Sequence, residues 1–359
     1  MPGRDKESSE VIVSARKFFY YLMTDRIGGP LAAPLKFILW ALSLLYGIII
    51  KTLSTGYEKK FFTPFKADPK VISIGNITVG GTGKTQAAIS VARILEASGR
   101  KPAILIRGYG ADECQMLREE LKDTPILVGP DRIKNSKRAF YDFGLDTVIL
   151  DDGFQHFKIR RDLDIALIDA TRPFGNHELI PRGILREPIT SLKRAGLIIV
   201  TKVDSDTAKT SEVYSVIERL GMRGSVVEAV YKPLNFYDLD TGRPEGLQRV
   251  RGKKICLVSS IANPGYLKQN ILKLGARIEL EHEFLDHYDY KKSDFVKIGR
   301  ECAVLGIELI VVTKKDAVKI KRLALANEVT VPILVFEVDF AVTKNKELLY
   351  DRLSGLYSS

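Results

Sequence analysis

A glycine-rich loop that ends in a lysine and a threonine is the part of this sequence best suited to chemistry. It covers residues 75–85 and ends in Gly83-Lys84-Thr85. Glycines let backbone N–H groups turn toward phosphate oxygens, a lysine brings positive charge to the β- and γ-phosphates, and a threonine hydroxyl suits Mg²⁺. The candidate nucleotide-binding residues are Gly80, Gly81, Thr82, Gly83, Lys84 and Thr85. The sequence therefore predicts a nucleoside triphosphate site, with Thr78 where the usual motif begins with glycine.

Two adjacent aspartates follow another apolar segment. Residues 147–150 run directly into Asp151 and Asp152. A carboxylate at the end of a buried strand beside a phosphate loop can hold Mg²⁺, and a pair allows metal and substrate roles to be divided. An aspartate before a glycine is also an ordinary turn signal. Both aspartates are therefore candidate metal ligands together with Thr85, and the sequence leaves open which of the two contacts the metal.

Candidates for proton transfer follow a further apolar segment and also occur later in the chain. Residues 107–113 come after the apolar segment 103–106, so they should emerge at the carboxyl edge of a sheet, where ligands bind. Asp112 is a candidate general base, and Glu113 is a candidate metal ligand or a partner that holds Arg107. An acidic helix N-terminus is the alternative. His287 has acidic neighbours, a setting in which an imidazole can tune a carboxylate, although a structural role is the alternative.

Two short segments resemble the element with which P-loop GTPases read guanine. They are Thr201-Lys202-Val203-Asp204 and Thr313-Lys314-Lys315-Asp316, and each follows an apolar segment. One nucleotide needs only one base pocket, so the presence of two copies weakens this interpretation. A P-loop GTPase switch or metallochaperone is nevertheless the alternative function.

The elements that would position these residues form an α/β pattern. Between about residues 69 and 203, short apolar segments alternate with helical stretches, which is typical of a mainly parallel sheet. A second series of apolar segments begins near residue 255, after a predicted linker at 240–251. We expect an α/β, P-loop NTPase-like fold with a mainly parallel sheet and a second, smaller α/β domain. The predicted boundaries are 1–60 for a polar tail and an apolar helix, 61–245 for the P-loop core and 246–359 for the smaller domain.

An uncharged apolar segment precedes the P-loop core. Residues 37–50 carry no charge, are flanked by Lys36 and Lys51, and contain Trp40 and Tyr46, whose rings suit a lipid headgroup region. As a helix this segment would reach about 21 Å at 1.5 Å per residue, short of the ~30 Å hydrocarbon core of a bilayer. We therefore predict a membrane-associated helix that lies at the interface. A buried core helix and a tilted span are the alternatives.

Composition and charge narrow the class of protein. With 45% hydrophobic and 28% charged residues, the 359-residue chain is globular rather than disordered. A net charge of +11 indicates an anionic partner: nucleic acid, a membrane surface or a phosphorylated substrate. The sequence shows no basic-aromatic motif or helix-turn-helix pattern, so we expect no nucleic-acid partner. The three cysteines lie far apart, which favours neither a zinc site nor a disulfide framework and fits a reducing compartment.

Taken in order, these segments resemble the tetraacyldisaccharide 4'-kinase family, the lipid A 4'-kinases of Gram-negative outer-membrane biosynthesis. The matching segments are 75–85, 107–110, 151–156, 174–176, 179–187, 261–264, 286–287 and 313–319. No single match is specific, but so many in one order are, and together they cover most of the chain. Two departures are Gln86, where the family generally has proline, and the short spacing between residues 107–110 and Asp112.

The resemblance implies transfer of the γ-phosphoryl group of ATP, with Mg²⁺, to the 4'-hydroxyl of an acylated glucosamine disaccharide 1-phosphate. It implies that the catalytic residues are Asp112, His287, Lys84 and Asp152. It adds Glu187, as a metal-site carboxylate or as one that supports the metal ligands from behind. The candidate metal-site residues are then Thr85, Asp151, Asp152, Glu113 and Glu187. Arg107, Arg182 and Arg186 become candidates for binding the 1-phosphate. The apolar helix would attach the enzyme to the cytoplasmic face of the inner membrane.

Overall fold

One sheet of twelve strands organises the structure. The computed structural model describes residues 18–30, 32–108, 111–205, 207–325 and 328–358, without the side chains of residues 111, 112, 207 and 208. The strands are β1 Lys70–Asn76, β2 Pro102–Ile106, β3 Ile126–Val128, β4 Thr147–Asp151, β5 Leu163–Asp169, β6 Leu197–Thr201, β7 Val226–Asp238, β8 Pro244–Glu245, β9 Lys254–Ser259, β10 Arg277–Glu283, β11 Leu309–Thr313 and β12 Ile333–Lys344. The α-helices with described bounds are α1 Ala33–Glu58, α2 Lys84–Ala97, α3 Ala111–Glu120, α4 Arg132–Tyr141, α5 Thr207–Arg219, α6 Pro264–Lys273, α7 Lys292–Leu305, α8 Lys314–Ile320 and α9 Lys346–Ser354.

The strand order explains how the phosphate loop meets the paired aspartates. The order is β10-β9-β11-β12-β7-β6-β5-β1-β4-β2-β3, with β8 beside β7, and every neighbouring pair is parallel except β7 with β12 and β7 with β8. Strand β1 lies between β4 and β5, and Ile74 pairs with Asp151. The carboxyl ends of β1 and β4 therefore lie side by side at one edge of the sheet. The predicted mainly parallel α/β fold is confirmed.

Apolar residues on both faces of the strands make this sheet a buried layer. Ile72 and Ile74 of β1 and Ile149 of β4 pack with α2 on one face, while Val71 and Val148 pack on the other face with α4. Near-continuous burial on both faces is what a parallel sheet covered by helices requires. The packed helices hold the strand ends, and with them the polar loops, in fixed positions.

The two series of strands join through a long antiparallel ribbon. Strand β7 has thirteen residues and β12 has twelve, and they pair along almost their whole length. After β12 the chain returns to the first half, where Leu349 and Leu353 of α9 enter the same core as Ile72. The sequence did not predict this return. The predicted linker contains β8 and a 3₁₀ turn at Leu247–Val250, and the predicted domain boundary at residue 245 stays a prediction.

Helix α1 is longer than the sequence predicted. It has 26 residues, so it extends about 39 Å at 1.5 Å per residue. The estimate from residues 37–50 was too short because flanking residues, Lys51 among them, are helical as well. Of its most apolar 18 residues, 11% are buried, which excludes the alternative interpretation as a buried core helix. In the described part of the chain, it is the helix whose length and composition would allow it to cross a membrane.

Helix α1 contacts the part of the protein that carries the phosphate loop. The Tyr46 hydroxyl donates to the carbonyl oxygen of Arg186 at 2.8 Å. The Tyr57 ring stacks on Phe157 with 5.7 Å between ring centroids. One edge of the helix is thus fixed beside the loops that precede and follow β5, and most of its apolar surface faces outward.

Candidate active site

The phosphate loop connects the end of β1 to the start of α2. Gly83 precedes α2 with φ of 95°, and a Cβ there would overlap the Tyr231 hydroxyl, so this position requires glycine. Lys84 is the first residue of α2, and its ammonium nitrogen lies 3.4 Å from Asn76 Oδ1 and 3.5 Å from the Gly80 carbonyl oxygen. The lysine therefore folds over the loop whose backbone N–H groups are suited to phosphate oxygens.

Thr85 and Asp151 form the part of the site that fits a divalent cation. The Thr85 hydroxyl donates to Asp151 Oδ2 at 3.2 Å, and the other carboxylate oxygen of Asp151 is buried without a hydrogen-bond partner among the described residues. Burial, with the nearby charge of Glu113, raises the pKa of Asp151 to about 6. A cation would compensate this poorly solvated carboxylate. The described residues hold no cluster of three metal-binding side chains, which is usual for Mg²⁺ bound through one or two protein ligands and substrate phosphates.

Asp152 faces different partners from Asp151. Its backbone is left-handed, with φ of 53°, and this turns the side chain toward Lys84 and Arg186. Arg186 Nη1 lies 2.9 and 3.0 Å from the two carboxylate oxygens, and the Lys84 ammonium lies 3.7 Å away. Burial would raise the pKa of Asp152, but the charges of Lys84 and Arg186 outweigh it and hold that pKa below its usual value. Asp152 is thus an ionised carboxylate beside the phosphate loop.

His287 and Glu113 meet across the cleft. His287 Nε2 lies 3.6 Å from a Glu113 carboxylate oxygen and 3.9 Å from Asp286. Lys315 lies 3.1 Å from Asp286 and 3.7 Å from Glu113. The predicted acidic and imidazole groups are therefore brought together at the start of α3. The side chain of the predicted base, Asp112, lies outside the described part of the chain, although its backbone belongs to the first turn of α3.

Glu187 is placed away from the cleft lining. It is fully buried, and the Arg194 guanidinium donates to both of its oxygens, at 2.7 and 2.8 Å. Gln155 also donates to it at 2.8 Å. Because the carboxylate is already neutralised by a bidentate arginine, its position speaks against the metal-site role that the resemblance suggested. Its contacts instead hold Gln155, which also donates to the carbonyl oxygen of Asn76 below the phosphate loop.

Arg132 is a site residue that the sequence reasoning missed. Its guanidinium donates to the carbonyl oxygens of Asp151 and, at 3.0 Å, Asp152, so it fixes the turn that carries both carboxylates. It lies in the first turn of α4, and its one sequence signal is a position shortly after β3, at the same sheet edge.

His156 also lines the cleft. Burial, and then the charges of Arg132 and Arg161, lower the pKa of His156 to about 4, so its imidazole is neutral at physiological pH.

The two Thr-Lys-x-Asp segments are used for structure rather than for a guanine pocket. In the first, Lys202 donates to the Gly81 carbonyl oxygen at 3.1 Å and pairs with Asp169, which supports the phosphate loop from behind. Its aspartate, Asp204, accepts from Tyr266 and Lys273. In the second, the buried Asp316 accepts from Ser260 and Tyr290, and its backbone N–H donates to Thr313, which caps α8. Both aspartates already bond protein donors.

The phosphate loop, Glu113, Asp151, Asp152 and His287 line one cleft of ≈ 1610 Å³. A pocket for a single small molecule measures about 300–1,000 Å³, so this cleft has room for a nucleotide and a second substrate. Arg107 and Arg186 line it, whereas Arg182 pairs with Asp25 at 2.9 Å and is not part of the lining. The sheet, the phosphate loop and the aspartate pair at the adjacent strand define a P-loop nucleotide-binding enzyme with space for an acceptor.

Comparison with known proteins identifies the family. The family model described as LpxK, tetraacyldisaccharide-1-P 4'-kinase, matches residues 35–115 and 111–354. A tetraacyldisaccharide 4'-kinase of Anaeromyxobacter dehalogenans is 33% identical over 82% of this chain and 83% of its own length. A tetraacyldisaccharide 4'-kinase of Syntrophus aciditrophicus is 32% identical over 88% of this chain and 91% of its own length. The chain belongs to the tetraacyldisaccharide 4'-kinase family, as the resemblance predicted.

A solved structure shares the fold. LpxK from Aquifex aeolicus, described as a complex with ATP, superposes with a TM-score of 0.68 at 24% identity, covering 90% of this chain and 100% of that one. The likeness covers nine-tenths of this chain and therefore reaches into both strand series.

Proposed function

We propose that this chain transfers the γ-phosphoryl group of ATP to the 4'-hydroxyl of a tetraacyldisaccharide 1-phosphate in lipid A biosynthesis. The observation that carries the proposal is a single cleft in which a phosphate loop, two aspartates with different environments and room for an acceptor occur together. Curated relatives bear the name of this kinase, and the related solved structure is described as holding ATP.

The nucleotide side of the reaction would depend on the phosphate loop. Lys84 and the loop N–H groups would hold the β- and γ-phosphates in line with the acceptor. Thr85 and Asp151 would hold Mg²⁺, which when bound neutralises charge on the phosphate oxygens. Lys202 would keep the loop in shape through its bond to the Gly81 carbonyl oxygen. Most of the rate enhancement would come from positioning and charge neutralisation.

The acceptor side would depend on α3 and the loop that contains His287. We assign Asp112 as the base that accepts the proton of the attacking hydroxyl, with His287, which lies 3.6 Å from the neighbouring Glu113, as an orienting group. Asp152, ionised between Lys84 and Arg186, is suited to orienting the acceptor or the transferred group. Arg107 and Arg186 line the cleft and are the candidates for the 1-phosphate.

Helix α1 would hold the enzyme on the cytoplasmic face of the inner membrane. Its outward surface is apolar, and Tyr46, Leu53 and Tyr57 of the same helix line the cleft. A lipid substrate could then keep its acyl chains in the bilayer while its sugar headgroup enters the cleft. The basic net charge of the chain would favour an anionic membrane surface.

Substitution of the proposed catalytic groups tests this function. Lys84→Ala and Asp112→Ala should each reduce kcat by roughly 10²–10³-fold or more, because each removes a charge that acts on the reacting groups. The thermal midpoint of both variants should stay near that of wild type. Lys253→Ala is the matched control, since Lys253 forms an exposed pair with Glu308. Asp112→Ala with most of its kcat retained would eliminate Asp112 as the base.

A further inference from the structure

Helix α8 begins with two consecutive lysines, which is electrostatically unfavourable at a helix N-terminus. Carboxylates from other elements offset this cost. The Lys314 ammonium lies 2.6 Å from Glu120 and 3.0 Å from Glu337, and Lys315 lies 3.1 Å from Asp286. Lys314 and Lys315, the lysine pair, do not form a guanine pocket. Acidic partners around the cleft hold both of them.

Glu120 connects three elements. It is the last residue of α3, and it accepts from Lys314 of α8 and, at 2.6 Å, from Arg93 of α2. The side chains of Glu120 and Lys314 are 18% and 26% exposed, so solvent screens their charges less than on an open surface. Burial would raise the pKa of Glu120, but Lys314 and Arg93 outweigh it and hold that pKa below its usual value.

The lysine pair reaches both ends of α3. Glu113 and Glu120 are seven residues apart, which places them two turns apart on one face of the helix. Glu120 bonds Lys314, and Glu113 lies 3.7 Å from Lys315. Arg322, just beyond α8, adds a 2.8 Å hydrogen bond to Gln115. Contacts near both ends of α3 therefore tie it to α8 and to Arg322 just beyond, while Arg93 ties its carboxyl end to the helix that begins at the phosphate loop.

We propose that Lys314 is a positioning residue for phosphoryl transfer. Its ion pair with Glu120 sets α3 relative to the phosphate loop, and α3 carries Asp112 in its first turn. This inference rests on the proposed function, because it assumes that Asp112 acts on the acceptor. Lys314 affects the alignment of the acceptor rather than the affinity for nucleotide, since two carboxylates within 3.0 Å already neutralise its charge.

The test is a double-mutant cycle in the full-length protein with ATP and a detergent-dispersed tetraacyldisaccharide 1-phosphate. The variants are Lys314→Met, Glu120→Gln and the double variant, with Lys253→Met as the control for loss of an exposed lysine pair. Each single variant should lower kcat by about 10- to 100-fold, the cost of a misplaced catalytic group. The KM for ATP should stay within about twofold of wild type. The loss of kcat in the double variant should be smaller than the product of the two single losses, because both changes break the pair between Lys314 and Glu120.

Amide hydrogen exchange supplies a readout that does not need activity. In Lys314→Met, residues 113–120 should exchange faster, whereas strand β9 should be unchanged. An unchanged kcat, or a raised KM for ATP with normal kcat, would overturn the inference, as would losses that multiply in the double variant. If wild type forms no bisphosphate lipid, the proposed function is wrong whatever the variants show. Unchanged exchange in α3 of Lys314→Met would refute the inference that Lys314 positions α3.

Discussion

Asp151 and Asp152 show how adjacent identical residues acquire different chemistry. Asp151 ends β4 and stays buried beside Thr85, where its pKa is raised to about 6. One left-handed backbone step turns Asp152 toward Lys84 and Arg186, which keep its carboxylate ionised. The different environments of the two carboxylates are therefore set by backbone geometry and by partners distant in the chain. We expect Asp151 to be the metal ligand of the pair.

Glu187 and Arg194 give a prediction of stability at the scale of residues. Arg194→Met should lower the free energy of unfolding by about 3–5 kcal/mol, because it leaves a fully buried carboxylate without its cation. Urea unfolding measures the loss. Arg223→Met is the control, since Arg223 forms an exposed pair with Glu218 and should change stability by less than about 0.5 kcal/mol.

A second substitution separates the buried charge from general packing. Adding Glu187→Leu to Arg194→Met removes the unpaired carboxylate and should restore part of the lost stability. Equal stability of Arg194→Met and wild type would contradict this account, since it would show that the buried Glu187 carboxylate does not need its arginine partner.

At the scale of elements, α1 predicts how the protein meets a membrane. The chain has a single tryptophan, Trp40, on α1 and 40% exposed. Vesicles of anionic phospholipid should shift its emission to shorter wavelength, and lipids brominated on the acyl chains should quench it, because the indole enters the interface. A protein that lacks the residues before Thr55 should no longer sediment with the vesicles. Sedimentation of that truncated protein would place the attachment elsewhere.

The sequence predicted those elements whose signals are local. The phosphate loop follows from glycine spacing, and most strands follow from short apolar segments, so these were found. Strands β7 and β10 were not predicted. The ends of α1 were missed because a charged residue such as Lys51 is a good helix former on an exposed face. The return of α9 and the bidentate pair of Glu187 with Arg194 were missed because they depend on packing between segments with no shared pattern.

At the scale of the whole molecule, one sheet carries both sides of the cleft. The β7–β12 ribbon joins the strand series that holds the phosphate loop to the series that holds His287 and the lysines of α8. Substrates bound in the cleft would contact both series. The ion pairs between α3 and α8 cross the same cleft, so the second series acts on the site through direct contacts with it.

The guanine-reading alternative is also decided at this scale. Asp204 and Asp316 each bond protein donors, and the chain belongs to a kinase family over most of its length. The two Thr-Lys-x-Asp segments instead support the phosphate loop and connect α8 to α3. Both segments match the Thr-Lys-x-Asp pattern, but the residues that they contact in the fold give them structural roles.

The most direct test of the account is transfer of labelled γ-phosphate from ATP, with GTP in parallel, to a detergent-dispersed tetraacyldisaccharide 1-phosphate. Wild type should form a labelled 1,4'-bisphosphate lipid from ATP, and Lys84→Ala should not. Hydrolysis of GTP with no label in the lipid would contradict the account.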